Sequence, residues 1–248
     1  MNRTENKNYY MIEIDAKSAR ELVKKYHYSG KVVPNSKLHL GVFDKANDEL
    51  VGALQYGTPM NAKSTPQKLV KDSNQHEMLE LNRMAMTDDS PKMSESQAIG
   101  LSIKYIKRFL PQIKWLLSFS DGKEGNVGTI YQATNWMYVG YRISDSFYDL
   151  DGQSMHAVQI WHKYKEHDTT GKTTNELLYE VFDNVSKIYS KQHIYIFPLV
   201  KNLDILLEKQ TYPKRETEPT IIKQVYYKKN GTVLKKKLVI DYLKDKTA

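Results

Sequence analysis

Cysteine is absent from all 248 residues. That absence excludes disulfides, thiolate nucleophiles and cysteine-ligated zinc, and it is the usage expected of a reducing cytosol. Glycine and proline are sparse, at 12 and 8, far from collagenous or low-complexity composition. Long apolar runs are missing too. No stretch reaches the ~18 residues that a membrane-spanning helix needs. The opening residues, MNRTENKNYY, are polar and lack the apolar segment of a secretory signal. No membrane partner is expected, and the expected place is the cytoplasm, that of the bacterial host if a phage encodes the chain. No two histidines stand at helical ligand spacing, so no metal motif is legible.

Positive charge and tyrosine are abundant. The chain carries 37 Lys and Arg against 29 Asp and Glu. From Lys187 onward 14 residues are basic and 6 acidic, so the whole excess of +8 sits in the last quarter. Such polarity points to a polyanion, most simply nucleic acid. The 18 tyrosines add surface on which bases can stack.

The pattern of elements gives the fold class as α/β (α+β), a mixed central sheet flanked by helices. YYMIEID (Tyr9–Asp15) reads as a strand. A helix follows, capped by Asp15, with Ala19, Leu22, Val23 and Tyr26 on one face, and it ends near Gly30. HLGVF and ELVGALQYG form a hairpin around DKAND. Residues 58–75 read as a loop, and HEMLELNRMAM as a strand. Ser94 and Gln97 predict a capping box on a helix that Pro111 stops. KWLLSFSD is the next strand, so residues 76–121 predict a parallel pair joined by a crossover helix. A short helix over about 128–137 and closing strands in YRISDSFYDL and AVQIWHKY complete residues 1–166. Residues 167–248 read as a basic extension for nucleic-acid contact: a linker in DTTGKTTN, a helix capped by Thr173 and Glu176 that runs through Val185 and Ile188, a strand in HIYIFPLV, a short helix in KNLDILLEKQ, and a hairpin around Asn230-Gly231.

Ligands of parallel strands favour their carboxyl ends, and Asp121 sits at one, before the glycine-rich loop DGKEGNVGT. Strict alternation puts Leu79, Leu81, Arg83 and Ala85 on one face. An arginine among leucines needs a partner, and Asp121 on the adjacent strand is the candidate. Tyr131, ten residues further on, is a candidate proton shuttle or stacking residue; core packing is the alternative. His27, at the end of the first helix, is a base, a ligand, or simply favourable to the helix dipole, and Tyr28 is a stacking candidate.

HYSG after the first helix, LNRM on a strand, PKMSESQ opening a helix, and SDGKEGNVGTIYQATNWMYVG together resemble the Mom family of phage adenine-modification proteins. The similarity covers residues 20–162, and the strand order resembles the GNAT acyltransferase fold. The resemblance implies an enzyme that adds a carbamoylmethyl (glycinamide) group to adenine N6 of double-stranded DNA, shielding it from restriction. It implies Arg83, Asp121, Tyr131 and Ser96 as active residues, with His27 and Tyr28; Asn82 and Asn135 are further polar candidates, and Tyr28, Tyr56 or Trp136 is the candidate stacking platform for the flipped base. Two departures from GNAT enzymes argue against acetyl-CoA. The pyrophosphate turn reads KMSESQAIG, and Trp136 stands where those enzymes often place a tyrosine acid. A glycyl ester such as glycyl-tRNA is the favoured donor, with the basic tail a place for DNA or tRNA; an iron-dependent route with His27, Tyr28 and Asp121 as ligands is the rival. Other functional classes are a plain acetyl-CoA N-acetyltransferase and a non-catalytic DNA-binding protein.

Overall fold

The computed structural model describes residues 2–122, 125–164, 174–215, 221–229 and 232–237. These form two compact units interleaved along the chain: Met1–Phe119 with Gly128–Gly140 and Ile194–Tyr212, and Ser120–Val127 with Tyr141–His193 and Pro213–Ala248.

The first unit is a mixed sheet with helices against it. Strands β1 (Arg3–Glu5), β2 (Tyr9–Glu13), β3 (Ser36–Asp44), β4 (Leu50–Gly57) and β5 (Met78–Met86) pair antiparallel in sequence order. Helix α1 (Ala16–Tyr26) starts where expected, because Asp15 accepts from the backbone N–H groups of Lys17 and Ser18, both at 2.9 Å. Such a cap is worth about 1 kcal/mol. Leu22, Val23 and Ala19 then bury against Ala53 of β4 and Ala85 of β5. Helix α3 (Ser94–Phe109) covers the main core, where Ile99 and Ile106 meet Leu40, Leu54, Leu79 and Leu81. It is the crossover between β5 and β6 (Trp115–Asp121), which pair parallel as predicted. That pairing registers Met78–Glu80 against Trp115–Leu117. A second layer of apolar contacts joins Met78, Trp115 and Leu117 to Val139 and Ile196.

One feature of β5 escapes the period-two pattern. Gln55 pairs with Arg83 while Tyr56 pairs with Leu81, so Asn82 has no opposite residue and forms a β-bulge. A bulge inverts the alternation beyond it. Leu79 and Leu81 enter the main core, but so do Met84 and Met86, while Ala85 faces α1. Arg83 therefore lies on the α1 face, opposite the leucines with which strict alternation had grouped it.

Other expectations also change. The capping box does not form: Met93 is the N-cap, the Ser94 hydroxyl lies 2.6 Å from the Pro91 carbonyl and 2.7 Å from Tyr9 Oη, and Gln97 accepts from Asn6 and Asn8. The loop after β4 contains a short helix α2 (Thr65–Leu69). Helix α4 is only Thr129–Gln132. Residues 201–210 form no helix; Ile205 bridges to Val70, which holds the segment extended.

In the second unit, β7 (Met137–Leu150) pairs with β8 (Gln153–His156). AVQIWHKY is helix α5 (Ala157–Tyr164), not a strand. Its Ile160 and Tyr164, four apart, share one face and bury with Tyr148, Leu150 and Leu178. Helix α6 (Thr174–Val181) stops early, because Asp151 accepts from the backbone N–H groups of Asp183 and Asn184. Val185 and Ile188 therefore belong to β9 (Val185–Pro198). Strands β10 (Ile221–Lys229) and β11 (Thr232–Lys237) form the expected hairpin. Its turn residues Asn230-Gly231 lie outside the described residues, as do Thr173 of the second capping box and the linker before it.

Gly57 packs where β3, β4 and the bulge meet. A Cβ there would fall 2.2 Å from the Asn35 carbonyl oxygen and 2.6 Å from Asn82 Oδ1. Gly57→Ala should destabilise the chain by about 1–3 kcal/mol, as overpacking does, measured by urea unfolding; an unchanged midpoint would contradict this packing.

Candidate active site

The bulge delivers Arg83 to the C-terminal end of α1. Its Nε donates to the Lys31 carbonyl at 3.1 Å and its Nη1 to the Asn82 carbonyl at 2.6 Å. Carbonyl oxygens orient a guanidinium without neutralising it. Among the described residues no carboxylate pairs with Arg83. Asn82 itself is buried, its Oδ1 accepting from Ser36 Oγ at 3.1 Å.

His27 is the C-cap of α1. The Ser29 backbone N–H donates to His27 Nδ1 at 3.1 Å, and Ser29 Oγ lies 2.8 Å from the same nitrogen. An Nδ1 that accepts leaves the ring proton on Nε2. Burial, with the Arg83 charge beside it, pulls the His27 pKa down to about 4. At neutral pH His27 is therefore a neutral hydrogen-bond donor rather than a base. Tyr28 stacks on it at 4.3 Å and 29° and is 76% exposed. Arg83, His27, Tyr28 and Asn82 thus come together.

Tyr131 packs in the main core, its ring 5.3 Å from Trp136 and 5.2 Å from Tyr195, and its phenol is within electrostatic reach of Tyr28. Its hydroxyl is 2.8 Å from Ser118 Oγ, which is 3.3 Å from the Leu81 carbonyl. The pair sits just past the registered stretch of β5 and β6. Burial pushes the Tyr131 pKa up to about 12, so the phenol keeps its proton. Tyr56 is fully buried with its hydroxyl 2.6 Å from Ser102 Oγ, and burial raises its pKa. Trp136 is fully buried as well. Neither ring presents a face at the surface, which corrects the expectation that they serve as stacking platforms.

Ser96 occupies the first turn of α3 and gives its hydroxyl to the Met93 carbonyl at 2.9 Å. Asn135 is exposed and has φ of 60°, the left-handed conformation that asparagine tolerates at a turn. Asp121, half-buried at the end of β6, lies 3.5 Å from Ser190 Oγ. Directly after it, a Cβ on Gly122 would fall 2.6 Å from the Lys191 carbonyl oxygen, so a glycine is needed for this close approach. Sequence reasoning missed Ser118, Ser29 and the Lys31 carbonyl. Ser29 was legible as the hydroxyl two residues after a histidine; nothing in the sequence marked a backbone oxygen. It also missed a polar layer under α1, where Gln55, the cross-strand partner of Arg83, is fully buried with Nε2 3.2 Å from His39 Nδ1.

Among the described residues no three His, Asp or Glu side chains gather to hold a metal ion, and no helix is long and apolar enough to cross a membrane.

The strand order and this cluster define an α/β protein whose charged and stacking residues meet at a bulged central strand. The model of the Mom protein family matches residues 8–214, and the chain belongs to that family. Over 142 residues it is 41% identical to the methylcarbamoylase Mom of Escherichia phage Mu, an alignment that takes in 57% of this chain and 57% of that protein. The chain thus spans little over half the length of this relative. Among solved structures it is similar to a GNAT-family acetyltransferase from Bacillus anthracis, with a TM-score of 0.43 at 10% identity over 79% of this chain and 98% of that one. It is also similar to the ribosomal-protein-S5-alanine acetyltransferase from Vibrio fischeri, with a TM-score of 0.44 at 8% identity over 79% and 96%. The α/β class rests on this chain's own sheet.

The His27 environment sets a pH signature. The native ring stays neutral down to about pH 4, whereas the unfolded ring takes a proton near 6.5. Between those values the unfolded state binds more protons, so the stability this group supports falls as pH drops from about 6.5 to 4. His27→Gln should flatten that part of the profile in urea unfolding at a series of pH values; parallel profiles would contradict a buried neutral imidazole.

Proposed function

We propose that the chain is a DNA-modifying transferase that places a carbamoylmethyl (glycinamide) group on adenine N6 and so protects DNA from restriction. The observation that carries this reading is the uncompensated Arg83 guanidinium beside a neutral imidazole and an exposed, stacked phenol, in a chain of the Mom family. The similarity to a methylcarbamoylase of phage Mu supports the group transferred.

Adenine N6 is a weak nucleophile, because its lone pair feeds the ring, and in a duplex it is stacked and paired. The base must leave the helix at a cost of a few kcal/mol. Tyr28 offers the platform that offsets part of it. An acyl donor then meets two positive dipoles: the Arg83 guanidinium and the His27 Nε2–H, both suited to an oxygen that gains charge. Tyr131, with Ser118, holds a proton for the leaving oxygen; Asp121, in the second compact unit, is assigned no step. Ser96, Asn82 and Asn135 have structural bonds or backbone roles and are assigned no step.

A glycyl ester such as glycyl-tRNA balances the chemistry. N6 bonds to the ester carbonyl carbon, the C–O bond breaks, and the leaving hydroxyl takes the N6 proton. The free glycyl amine then attacks adenine C6, the amide nitrogen departs from C6, and an N6-glycinamide remains. An acetyl-CoA reading has less support: Glu95 places negative charge in the first turn of α3, where a pyrophosphate would need attraction.

Expression in bacteria followed by mass analysis of DNA nucleosides tests the reading. Wild-type chain should add a glycinamide mass to deoxyadenosine. Arg83→Ala should lower the yield by at least about 100-fold, the cost of losing one oxyanion donor, and Arg83→Lys should not restore it, because lysine lacks the fork that reaches both carbonyls. Unmodified deoxyadenosine from abundant, folded wild-type chain would overturn the proposal.

A further inference from the structure

The second unit carries an open sheet face. Strands β7 and β9 pair with each other, and successive side chains on each alternate between two faces. Lys191 Nζ stands 5.0 Å from the centre of the Tyr141 ring, and Lys187 Nζ lies 2.6 Å from Asp145 Oδ2. These two contacts put the odd-numbered residues of both strands on one face, with Ile143 and Tyr189 between them. On the reverse side of β9, Ile188 and Ser190 are buried. On the open side Tyr141 is 51% exposed and Ile143 49%, Asp145 is exposed, and Lys187, Tyr189 and Lys191 are half-buried. Single exposed apolar residues need no explanation. Here two stand on one strand, beside a run of cation, ring and cation on the next: Lys187, Tyr189 and Lys191, at same-face steps of about 6.8 Å. Lys187 also lies over the Tyr189 ring, at 5.7 Å.

We infer that this face is a stacking platform for single-stranded nucleic acid. A protein partner would call for an apolar centre depleted of charge, whereas here lysines stand among the rings. A duplex keeps the faces of its bases inside its own stack and would leave Tyr141 and Tyr189 idle. An unpaired strand offers base faces and phosphates together, which is what alternating rings and cations fit. Asp145 offsets the charge of Lys187, so stacking on the tyrosines is the larger part of the hold. Two sources present this chemistry: DNA unpaired around an extruded base, and the single-stranded end of an RNA. The class of partner rests on the DNA-modifying reading above; the platform itself needs no transfer chemistry.

Fluorescence anisotropy of the full chain tests the platform, with labelled DNA and RNA single strands of about 12 nucleotides, a length within reach of such surfaces. Tyr141→Ala should weaken the binding of at least one strand by about fivefold or more, the loss expected when one base loses its aromatic partner. Tyr141→Phe keeps the ring and should bind as the wild type does, which separates stacking from folding. Met60→Ala truncates a side chain that is 88% exposed in the first unit and should leave both affinities unchanged. A Tyr141-dependent preference for DNA assigns the face to unpaired DNA, and one for RNA to an RNA end; either supports the platform, as does equal binding of both. No binding of either strand, equal affinities of wild type and Tyr141→Ala, or an equal loss in Met60→Ala would overturn it. So would self-association in sedimentation that Tyr141→Ala abolishes, which would give the face to a second copy of the chain. Binding needs no turnover, so the two ideas fail separately. Tyr141-dependent binding with unmodified cellular deoxyadenosine sinks the enzymatic reading alone, and modified DNA with Tyr141-independent binding sinks the platform alone.

Discussion

The arrangement of the first unit depends on one unpaired residue. Asn82 adds an extra residue to β5 opposite the Gln55–Tyr56 step of β4, and everything beyond it on that strand turns over. Without the bulge, Arg83 would enter the leucine-rich core, where an unpaired guanidinium costs several kcal/mol. With it, the side chain reaches two carbonyls at the end of α1. Asn82, buried and bonded by Ser36, and Gly57, with no room for a Cβ, are the neighbours that hold the irregularity in place.

The same constraint divides the polar groups by protonation state. On the α1 face, burial and the arginine keep His27 uncharged, so Arg83, with Lys31 near it, supplies the positive charge there. On the core face, burial keeps Tyr131 protonated beside Ser118. Arg83 can stabilise developing negative charge, and Tyr131, within electrostatic reach of Tyr28, can hold a proton. Both protonation states hold at pH 7, which suits attack by a neutral amine.

Much of this was legible beforehand. Asp15 announced α1, Pro111 announced the end of α3, and the strand–helix–strand order announced the parallel β5–β6 pair. Local rules governed each of these. The bulge was not legible, because alternation in LELNRMAM looks unbroken and the extra residue is defined only by the partner strand. Helix α5 was misread because AVQIWHKY is rich in β-formers, and burial of Ile160 and Tyr164 on one face decides it. The over-long α6 had no stop signal of its own; the stop is Asp151, more than thirty positions earlier. Arg83, His27 and Tyr28, singled out by type and motif, lie together. Tyr56 and Trp136 were aromatic for packing, which composition cannot separate from recognition. The carbonyl partners of Arg83 were not legible, because a backbone oxygen leaves no mark on a sequence.

The most direct test of the central claim is a crystal structure of the chain with a short duplex that carries one adenine opposite an abasic site. The account predicts that this adenine lies outside the stack, its ring against Tyr28 and its edge within hydrogen-bond reach of the Arg83 and His27 side chains. An adenine still stacked in a well-ordered complex, or held at another surface with the Tyr28 ring untouched, would contradict it.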